Sequence, residues 1–387
     1  MSGIMSKIKV GIVGTGFIGA AHIEAIRRLG FVEIIALAEN SQELARQKAQ
    51  QFHIPKAYDS VEKLLADPEI QAVHNCTPNH LHFEINKKII RAGKHVFSEK
   101  PLCLTSQEAD ELVALAEKYN VVTGVGFVYR NFAMVQQAAT MVEKQEVGRI
   151  FAVNGHYLQD WMLLETDYNW RVDPKVGGKS RTVADIGSHW CDTIQFVTGK
   201  KITEVFADLA IVYPQRKANK KVETFSSNSS SDDYELMPVE TEDYGSILIR
   251  FEDGSKGSFT VSQVSAGHKN DLMFNISGSE KSLHWEQETP QYLTIGYREQ
   301  ANQVLCDDPS LVDNSVRAYN HFPGGHIEGW PDAFKNMMLA FYNFIAENKN
   351  PSAETGKFAT FKEGAQIVRI VDAILESAVR NCWVSVK

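Results

Sequence analysis

Near its amino terminus the chain reads Gly14-Thr15-Gly16-Phe17-Ile18-Gly19, a G-x-G-x-x-G. Glycines at this spacing allow a tight turn at Gly14, close backbone approach to a pyrophosphate at Gly16, and close helix–strand packing at Gly19. A helix starting there adds free amides and the positive end of its dipole. Glu39 stands 20 residues beyond Gly19, where a carboxylate accepts hydrogen bonds from an adenosine ribose and repels a 2′-phosphate. That favours NAD over NADP, with Arg46 as the nearby cation that could answer a phosphate. Further along, Lys100 is held between Glu99 and Pro101, and Asp185 precedes His189 by four residues. On a helix the latter two share a face. A histidine titrates near neutrality and a carboxylate one turn away can orient it; the same spacing also describes an ordinary surface pair. His80 and His82 are two apart, share no helix face, and have no matching ligand set, so no metal site is expected.

Strand ends and helix starts must present these groups. Ile8–Val13 is an apolar run ending in the glycines, and residues 17–29 carry Ile18, Ala21, Ala25, Ile26 and Leu29 on one helical face. A second β-branched run, Val32–Ala38, precedes a polar helix from Ser41, its N-cap, to about Phe52. The alternation continues with a strand at 72–76, a helix at 79–91 stopped by Gly93, a strand at 94–97, and a helix at 105–119. Glu108 lies three residues after Thr105, as a capping box requires; a strand at 121–125 follows. Thr77-Pro78-Asn79 and Lys100 thereby fall at strand ends on one sheet edge, where doubly wound folds bind ligands. Thr77-Pro78-Asn79 also reads as a turn with Asn79 as N-cap. Strand–helix alternation predicts a parallel sheet covered on both faces.

Beyond about residue 130 the pattern changes. A helix at 132–144 leads to longer alternating runs at 149–158, 202–213, 242–251, 255–264 and Asp271–Gly278, with Glu252-Asp253-Gly254 as a hairpin turn. A helix is expected at 184–197 and two more at 330–347 and 358–378. The expected fold is α/β: a Rossmann domain over 1–130, then an α+β domain over 131–387 with a large, open, mainly antiparallel sheet. Residues 215–238, rich in Ser, Asn and Asp, read as a mobile loop between strands.

Composition narrows the function. With 40 basic against 48 acidic side chains, a net −8, the chain lacks the basic surface that nucleic acid requires. No stretch of about 18 uninterrupted apolar residues is present, so no membrane span is expected. Five cysteines, Cys76, Cys103, Cys191, Cys306 and Cys382, are scattered without a C-x-x-C pair, which fits a reducing compartment. The first nine residues carry two lysines and the apolar run after them is broken by glycines. No signal peptide is expected, and the cytoplasm is the default location.

Taken in order, the fingerprint, Cys76-Thr77-Pro78-Asn79-His80-Leu81-His82, Ser98-Glu99-Lys100-Pro101-Leu102 and Asp185-Ile186-Gly187-Ser188-His189-Trp190-Cys191-Asp192 resemble the glucose–fructose oxidoreductase / inositol dehydrogenase (Gfo/Idh/MocA) family of nicotinamide-dependent sugar dehydrogenases. The resemblance covers nearly the whole chain. It implies that Lys100 hydrogen-bonds the reacting hydroxyl and the cofactor side, that the Lys100–Pro101 bond is cis, and that His189 with Asp185 removes the hydroxyl proton. It also implies that Thr77, Pro78, Asn79, His82 and Glu99 line the cofactor, and that Trp170 and Arg171 border the nicotinamide.

Tyr157-Leu158-Gln159-Asp160-Trp161 and Tyr168-Asn169-Trp170-Arg171 resemble the branch of anhydrosugar (levoglucosan) and cyclitol dehydrogenases. Gln159 and Asp160 suit hydroxyls, and the rings of Tyr157 and its neighbours suit the C–H face of a sugar; core packing of the aromatics is the alternative. Tyr129 is expected to face the pocket, and by resemblance His326, in a glycine-rich loop, reaches the substrate. No Arg or Lys cluster marks a phosphosugar site. The leading expectation is an NAD(H)-dependent dehydrogenase of a sugar or polyol, forming a homodimer or homotetramer through its open sheet. An NAD-dependent glycosidase and a non-enzymatic ligand sensor are the alternatives within the family; a sensor has no need of Lys100, Asp185 and His189 together.

Overall fold

A computed structural model of the chain describes residues 7–219, 234–354 and 356–387. Two compact units account for them. The first holds the chain through Phe127 together with Phe334–Gln366; the second holds Val128–Ala333 and Ile367–Lys387. An expected single cut at residue 130 would leave both closing helices in the second domain. Instead Phe334–Gln366 joins the first, because its rings enter that unit's core. Phe341 meets Phe97 edge-on at 5.1 Å, and Phe334 meets His22 at 5.0 Å.

The first unit is built on β1 (Ile8–Val13), β2 (Val32–Ala38), β3 (Lys56–Tyr58), β4 (Ala72–Asn75), β5 (His95–Ser98) and β6 (Thr123–Val125). All pairings are parallel, in the order β3-β2-β1-β4-β5-β6. Val10, Ile12, Ala36, Leu37, Ala72 and Val73 are fully buried, as expected where helices cover both faces of a parallel sheet. Thr105 makes the predicted capping box with Glu108 at the start of the helix Ser106–Tyr119, and Ser41 caps Gln42–Gln51. The open edge of β6 is covered by the chain near residue 360: Val125 N donates to the Ala359 carbonyl at 2.8 Å, and Phe361 N to Thr123 Oγ1 at 3.2 Å. The strand order reverses between β1 and β4, so their carboxyl ends open the crevice where this fold takes its ligand.

In the second unit β7 (Ile150–Leu158), β8 (Ile202–Ala210), β11 (Tyr244–Phe251), β12 (Lys256–Ser262), β13 (Asp271–Gly278), β14 (Ser282–Glu286), β15 (Tyr292–Gly296), β16 (Gln303–Cys306) and β17 (Val384–Ser385) form one sheet. Its order is β16-β15-β14-β13-β7-β12-β11-β8-β17, antiparallel except for the β7–β12 pair. Gly254, at φ +82°, turns the β11–β12 hairpin. The parallel β7–β12 pair brings the carboxyl ends of both strands, and the start of antiparallel β13, to one edge. Residues 215–238 are not simply a loop. β9 (Gln215–Asn219) and β10 (Tyr234–Pro238) pair as an antiparallel ribbon, and residues 220–233, with the serine-rich run, lie outside the described residues. Among the described residues no helix is long and apolar enough to cross a membrane.

Candidate active site

In the first unit the expected residues stand at the carboxyl ends of four adjacent strands. After β1, Gly14 turns at φ +82°, and a Cβ there would lie 2.9 Å from the Cys76 carbonyl oxygen. A Cβ on Gly19 would stand 2.3 Å from the Gly14 carbonyl oxygen, so the helix Phe17–Arg27 reaches the strand only because residue 19 has none. Gly16 is different: beyond its own chain neighbours no described protein atom lies within 4 Å of where its Cβ would be. An open backbone at a helix N-terminus fits a pyrophosphate. Phe17 is 64% exposed beside it, Ile18 half-buried.

After β2, Glu39 Oε1 accepts from Thr15 N at 2.7 Å and Thr15 Oγ1 at 2.6 Å, tying the acidic group to the fingerprint turn. After β4, Asn75 Oδ1 accepts from Thr77 Oγ1 at 2.7 Å and its amide donates to Asn86 Oδ1 at 2.9 Å, bracing a turn in which Pro78 is exposed and Asn79 half-buried. His82, buried, sets Nε2 2.8 Å from the Thr77 carbonyl and Nδ1 2.6 Å from the Pro101 carbonyl. It therefore ties the β4 turn to the β5 turn rather than presenting its ring outward. After β5, Glu99 Oε2 accepts the Lys100 N–H at 3.2 Å, and the Lys100–Pro101 peptide is cis.

In the second unit the sheet edge gathers a polar group against His189. Asn270 Oδ1 accepts from the Tyr129 hydroxyl at 3.2 Å, from the Tyr157 hydroxyl, and from Gln159 Nε2 at 3.1 Å. The two tyrosine hydroxyls also bond one another. The His189 ring meets Tyr129 edge-on at 5.0 Å and Tyr157 at 6.3 Å. Burial pushes the Tyr129 hydroxyl up to about 12 and the Tyr157 hydroxyl well above its usual range, and the Asp185 charge acts in the same direction. Both stay protonated as donors. Asn270 is held by its backbone: Glu288 Oε1 accepts its N–H at 2.9 Å. Neighbouring Asp271 Oδ2 is bonded to His156 Nε2 at 2.9 Å and His268 Nδ1 at 2.7 Å.

The helix Ser188–Thr198 that carries His189 is seated by Trp190. That ring stacks on Phe259 at 4.3 Å and donates to the Met273 carbonyl at 2.9 Å, over Gly155, where a Cβ would lie 2.6 Å from the indole nitrogen. Asp192 on the same helix receives Arg130, with Nε to Oδ2 at 3.0 Å, both buried.

Asp185 does not lie on a regular α-helix with His189, as the spacing predicted. Val183–Gly187 is a π-helical turn, with the Ser188 N–H bonded back to the Val183 carbonyl, a form that recurs at functional sites. Its entry is fixed from outside: buried Glu242 Oε1 accepts Ser180 Oγ at 2.7 Å, Arg181 N at 3.1 Å and Val183 N at 2.8 Å. Asp185 Oδ2 accepts Gln263 Nε2 at 2.9 Å, and Oδ1 lies 3.6 Å from Arg171 Nε. The Arg171 guanidinium covers the Trp170 ring at 4.4 Å. Trp170, Arg171 and Asp185 are thus one group, completed by Gln263. Asp160 instead pairs with Lys269 at 2.6 Å. His326 is exposed, with Nδ1 3.0 Å from the Pro323 carbonyl of its own loop.

Sequence reasoning missed Asn270 and Gln263. The one signal for either was a polar residue at the end of an alternating strand, which marks ordinary surface positions as well.

Comparison with known proteins agrees with this fold. Residues 8–127 match an oxidoreductase family with an NAD-binding Rossmann fold, and residues 135–284 match the GFO/IDH/MocA C-terminal domain. Levoglucosan dehydrogenase from Pseudarthrobacter phenanthrenivorans is 28% identical over 99% of both chains. A solved levoglucosan dehydrogenase in complex with NADH and levoglucosan superposes with a TM-score of 0.88 at 28% identity, covering 98% of this chain and 100% of that one. An inositol dehydrogenase homologue with NAD+ from Azotobacter vinelandii gives 0.85 at 25% identity, over 98% of each chain. With both of its domains matched, the chain belongs to the Gfo/Idh/MocA family of oxidoreductases.

Proposed function

We propose that the protein oxidises a secondary hydroxyl of a sugar, cyclitol or anhydrosugar with NAD, or reduces the corresponding ketone. The observation that carries this reading is the donor–acceptor group Tyr129–Tyr157–Asn270–Gln159, its tyrosines buried and its amides half-buried, set against the His189 imidazole. It offers hydroxyl and amide partners beside aromatic faces, the mixture a polyol requires. His189 takes the hydroxyl proton, and the Asp185 carboxylate favours the imidazolium that results. Lys100 stabilises the alkoxide character on the reacting oxygen. NAD supplies the hydride acceptor, with Gly16, Glu39, Thr77, Pro78 and Asn79 on its side. Glu39, already bonded to Thr15, supports NAD over NADP.

Absorbance of NADH on addition of a polyol panel with NAD tests the activity. Lys100→Ala with His189→Ala should abolish it; undiminished turnover in that double variant sinks the assignment. Phenol release from aryl glycosides would replace it with the glycosidase reading. Glu39→Ser should shift the NAD to NADP preference toward NADP by about tenfold or more, equivalent to one charged hydrogen bond. An unchanged ratio removes Glu39 from the cofactor. Exposed Phe151, Leu248 and Val304 on the sheet of the second unit support assembly into dimers or tetramers, and a monomer by light scattering would refute that.

A further inference from the structure

In the first unit a file of four buried side chains runs inward from the Glu99–Lys100 turn. Glu99 Oε1 lies 3.0 Å from His22 Nε2, His22 Nδ1 lies 2.7 Å from His74 Nδ1, and His74 Nε2 lies 2.5 Å from the Tyr342 hydroxyl. His22, His74 and Tyr342 are fully buried, and Glu99 is 5% exposed. Phe97 and Phe334 stand edge-on to the His22 ring at 5.6 and 5.0 Å, and Phe97 stacks on His74 at 5.3 Å, so water does not reach the file. Hydride chemistry makes no direct use of any of these rings.

The contacts dictate where each proton sits. Glu99 Oε2 already accepts the Lys100 N–H, and a carboxylate has only acceptors to offer. Oε1 therefore takes its hydrogen from His22 Nε2. Two arrangements continue the file. In one, His22 is neutral, its bare Nδ1 accepts from His74 Nδ1–H, and His74 Nε2 accepts the Tyr342 O–H. In the other, His22 is an imidazolium, His74 carries its hydrogen on Nε2, and Tyr342 accepts. The second leaves the Tyr342 hydrogen with no acceptor among the described residues, and a buried orphan donor is expensive. Burial also drives His74 well below its usual range, toward the neutral ring, and Tyr342 well above its own, toward the intact hydroxyl.

We infer that His22, backed by His74 and Tyr342, is a positioning residue for Lys100. Among the described residues it supplies the one side-chain hydrogen bond that holds the Glu99 carboxylate where it can grip the Lys100 backbone. The inference rests on the dehydrogenase reading only for the kinetic consequence. Gly126 shows how little slack the seat allows, since a Cβ there would stand 2.5 Å from Glu99 Oε1. Without the His22 donor the buried carboxylate is short of a partner, and it must either protonate or swing away from the Lys100 N–H.

The test combines variants with a spectroscopic readout on the full-length protein. Histidine 15N NMR should show His22 as the Nε2–H tautomer and His74 as the Nδ1–H tautomer, with coupling across the Nδ1–Nδ1 hydrogen bond. His22→Leu should lower kcat by about tenfold to a hundredfold with the polyol KM within about threefold, the loss expected for a hydrogen bond to a charged group. His22→Gln, which keeps an amide donor for Glu99, should recover kcat to within about fivefold. Reversed tautomers, an imidazolium at His22, His22→Leu at wild-type kcat, or no rescue by His22→Gln would each overturn the inference. Should His22→Leu not fold, the Gln variant and the wild-type tautomers decide. If the wild-type protein oxidises no polyol, the dehydrogenase reading fails while the tautomers still judge the file.

Discussion

Replacing Asn270 with Ala removes a single carbonyl oxygen on which the Tyr129 hydroxyl, the Tyr157 hydroxyl and Gln159 Nε2 converge. Gln159 is half-buried, so its Nε2 turns to water while its Oε1 keeps accepting the Trp161 indole at 2.8 Å. The tyrosines have no such exit, each being 3% exposed. They still bond one another, so one hydrogen keeps a partner and the other loses it. Neither escapes by ionising, because burial has pushed both hydroxyls up. One orphaned buried donor costs about 1–3 kcal/mol. At about 2–4 °C per kcal/mol for a unit of this size, Asn270→Ala should lower the melting temperature of the second unit by roughly 2–12 °C. Asn270→Asp, which keeps an acceptor, should recover most of it. In calorimetry Tyr157→Phe removes the donor that Asn270→Ala orphans, so the double variant should lose less than the sum of the singles. A melt within about 1 °C of wild type, or additivity within about 0.5 kcal/mol, would refute the shared-acceptor reasoning. The Asn270→Ala variant should also turn over more slowly, since the ring at 5.0 Å from Tyr129 is that of His189.

Two further outcomes follow from buried charge. Asp192→Ala strands the Arg130 guanidinium, whose side chain is 8% exposed against 2% for Asp192; stability in urea should fall by about 3–5 kcal/mol, and an unmoved midpoint would show the pair to be dispensable. Asp307 is pushed up to about 6 by burial, with Glu328 adding to the rise. A folded-state value above the unfolded one means that its contribution is present below about pH 4 and lost as the pH rises through about 6. Asp307→Asn, which keeps an acceptor for the Glu328 N–H, should therefore raise the melting temperature at pH 8 and leave it unchanged at pH 4. Equal gains at both would contradict the titration.

The first unit was legible because its strands are buried on both faces. Ile8–Val13 and Val32–Ala38 are apolar runs interrupted only by Lys9 and Glu33 near their starts, and the structure ends them at the residues the pattern predicted. Lys56–Tyr58 escaped notice because a three-residue edge strand, half-buried throughout, has no period to read. The second unit was legible where alternation is long, as in Asp271–Gly278. It was opaque in Ser282–Glu286, Tyr292–Gly296 and Gln303–Cys306, short strands in a polar stretch whose partners lie on neighbouring hairpins. The π-turn at Val183–Gly187 was invisible for a related reason: its cause is Glu242, nearly sixty residues away in sequence. Local pattern cannot report a cap supplied from another strand.

Motif residues also divide by what their side chains touch. Gly16, Phe17, Pro78 and half-buried Lys100 stand at the open edge of the first sheet. Thr15, Asn75, His82 and Glu99 hold the turns behind that edge, and each bond joins one strand-end turn to itself or to the next: Glu39 to Thr15, Asn75 to Thr77, His82 to both Thr77 and Pro101, Glu99 to Lys100. With the His22–Glu99 bond linking the fingerprint helix to the β5 turn, these ties make four loops behave as one rigid rim, which is what an oriented cofactor requires. It also predicts how variants should sort. Loss of an outward group changes affinity or turnover with little change in melting temperature, whereas loss of a tie such as His82→Ala lowers both together, because the Thr77 and Pro101 carbonyls lose the buried ring that joins their turns. A His82→Ala protein that melts like wild type but binds NADH weakly would move His82 from the rim to the ligand.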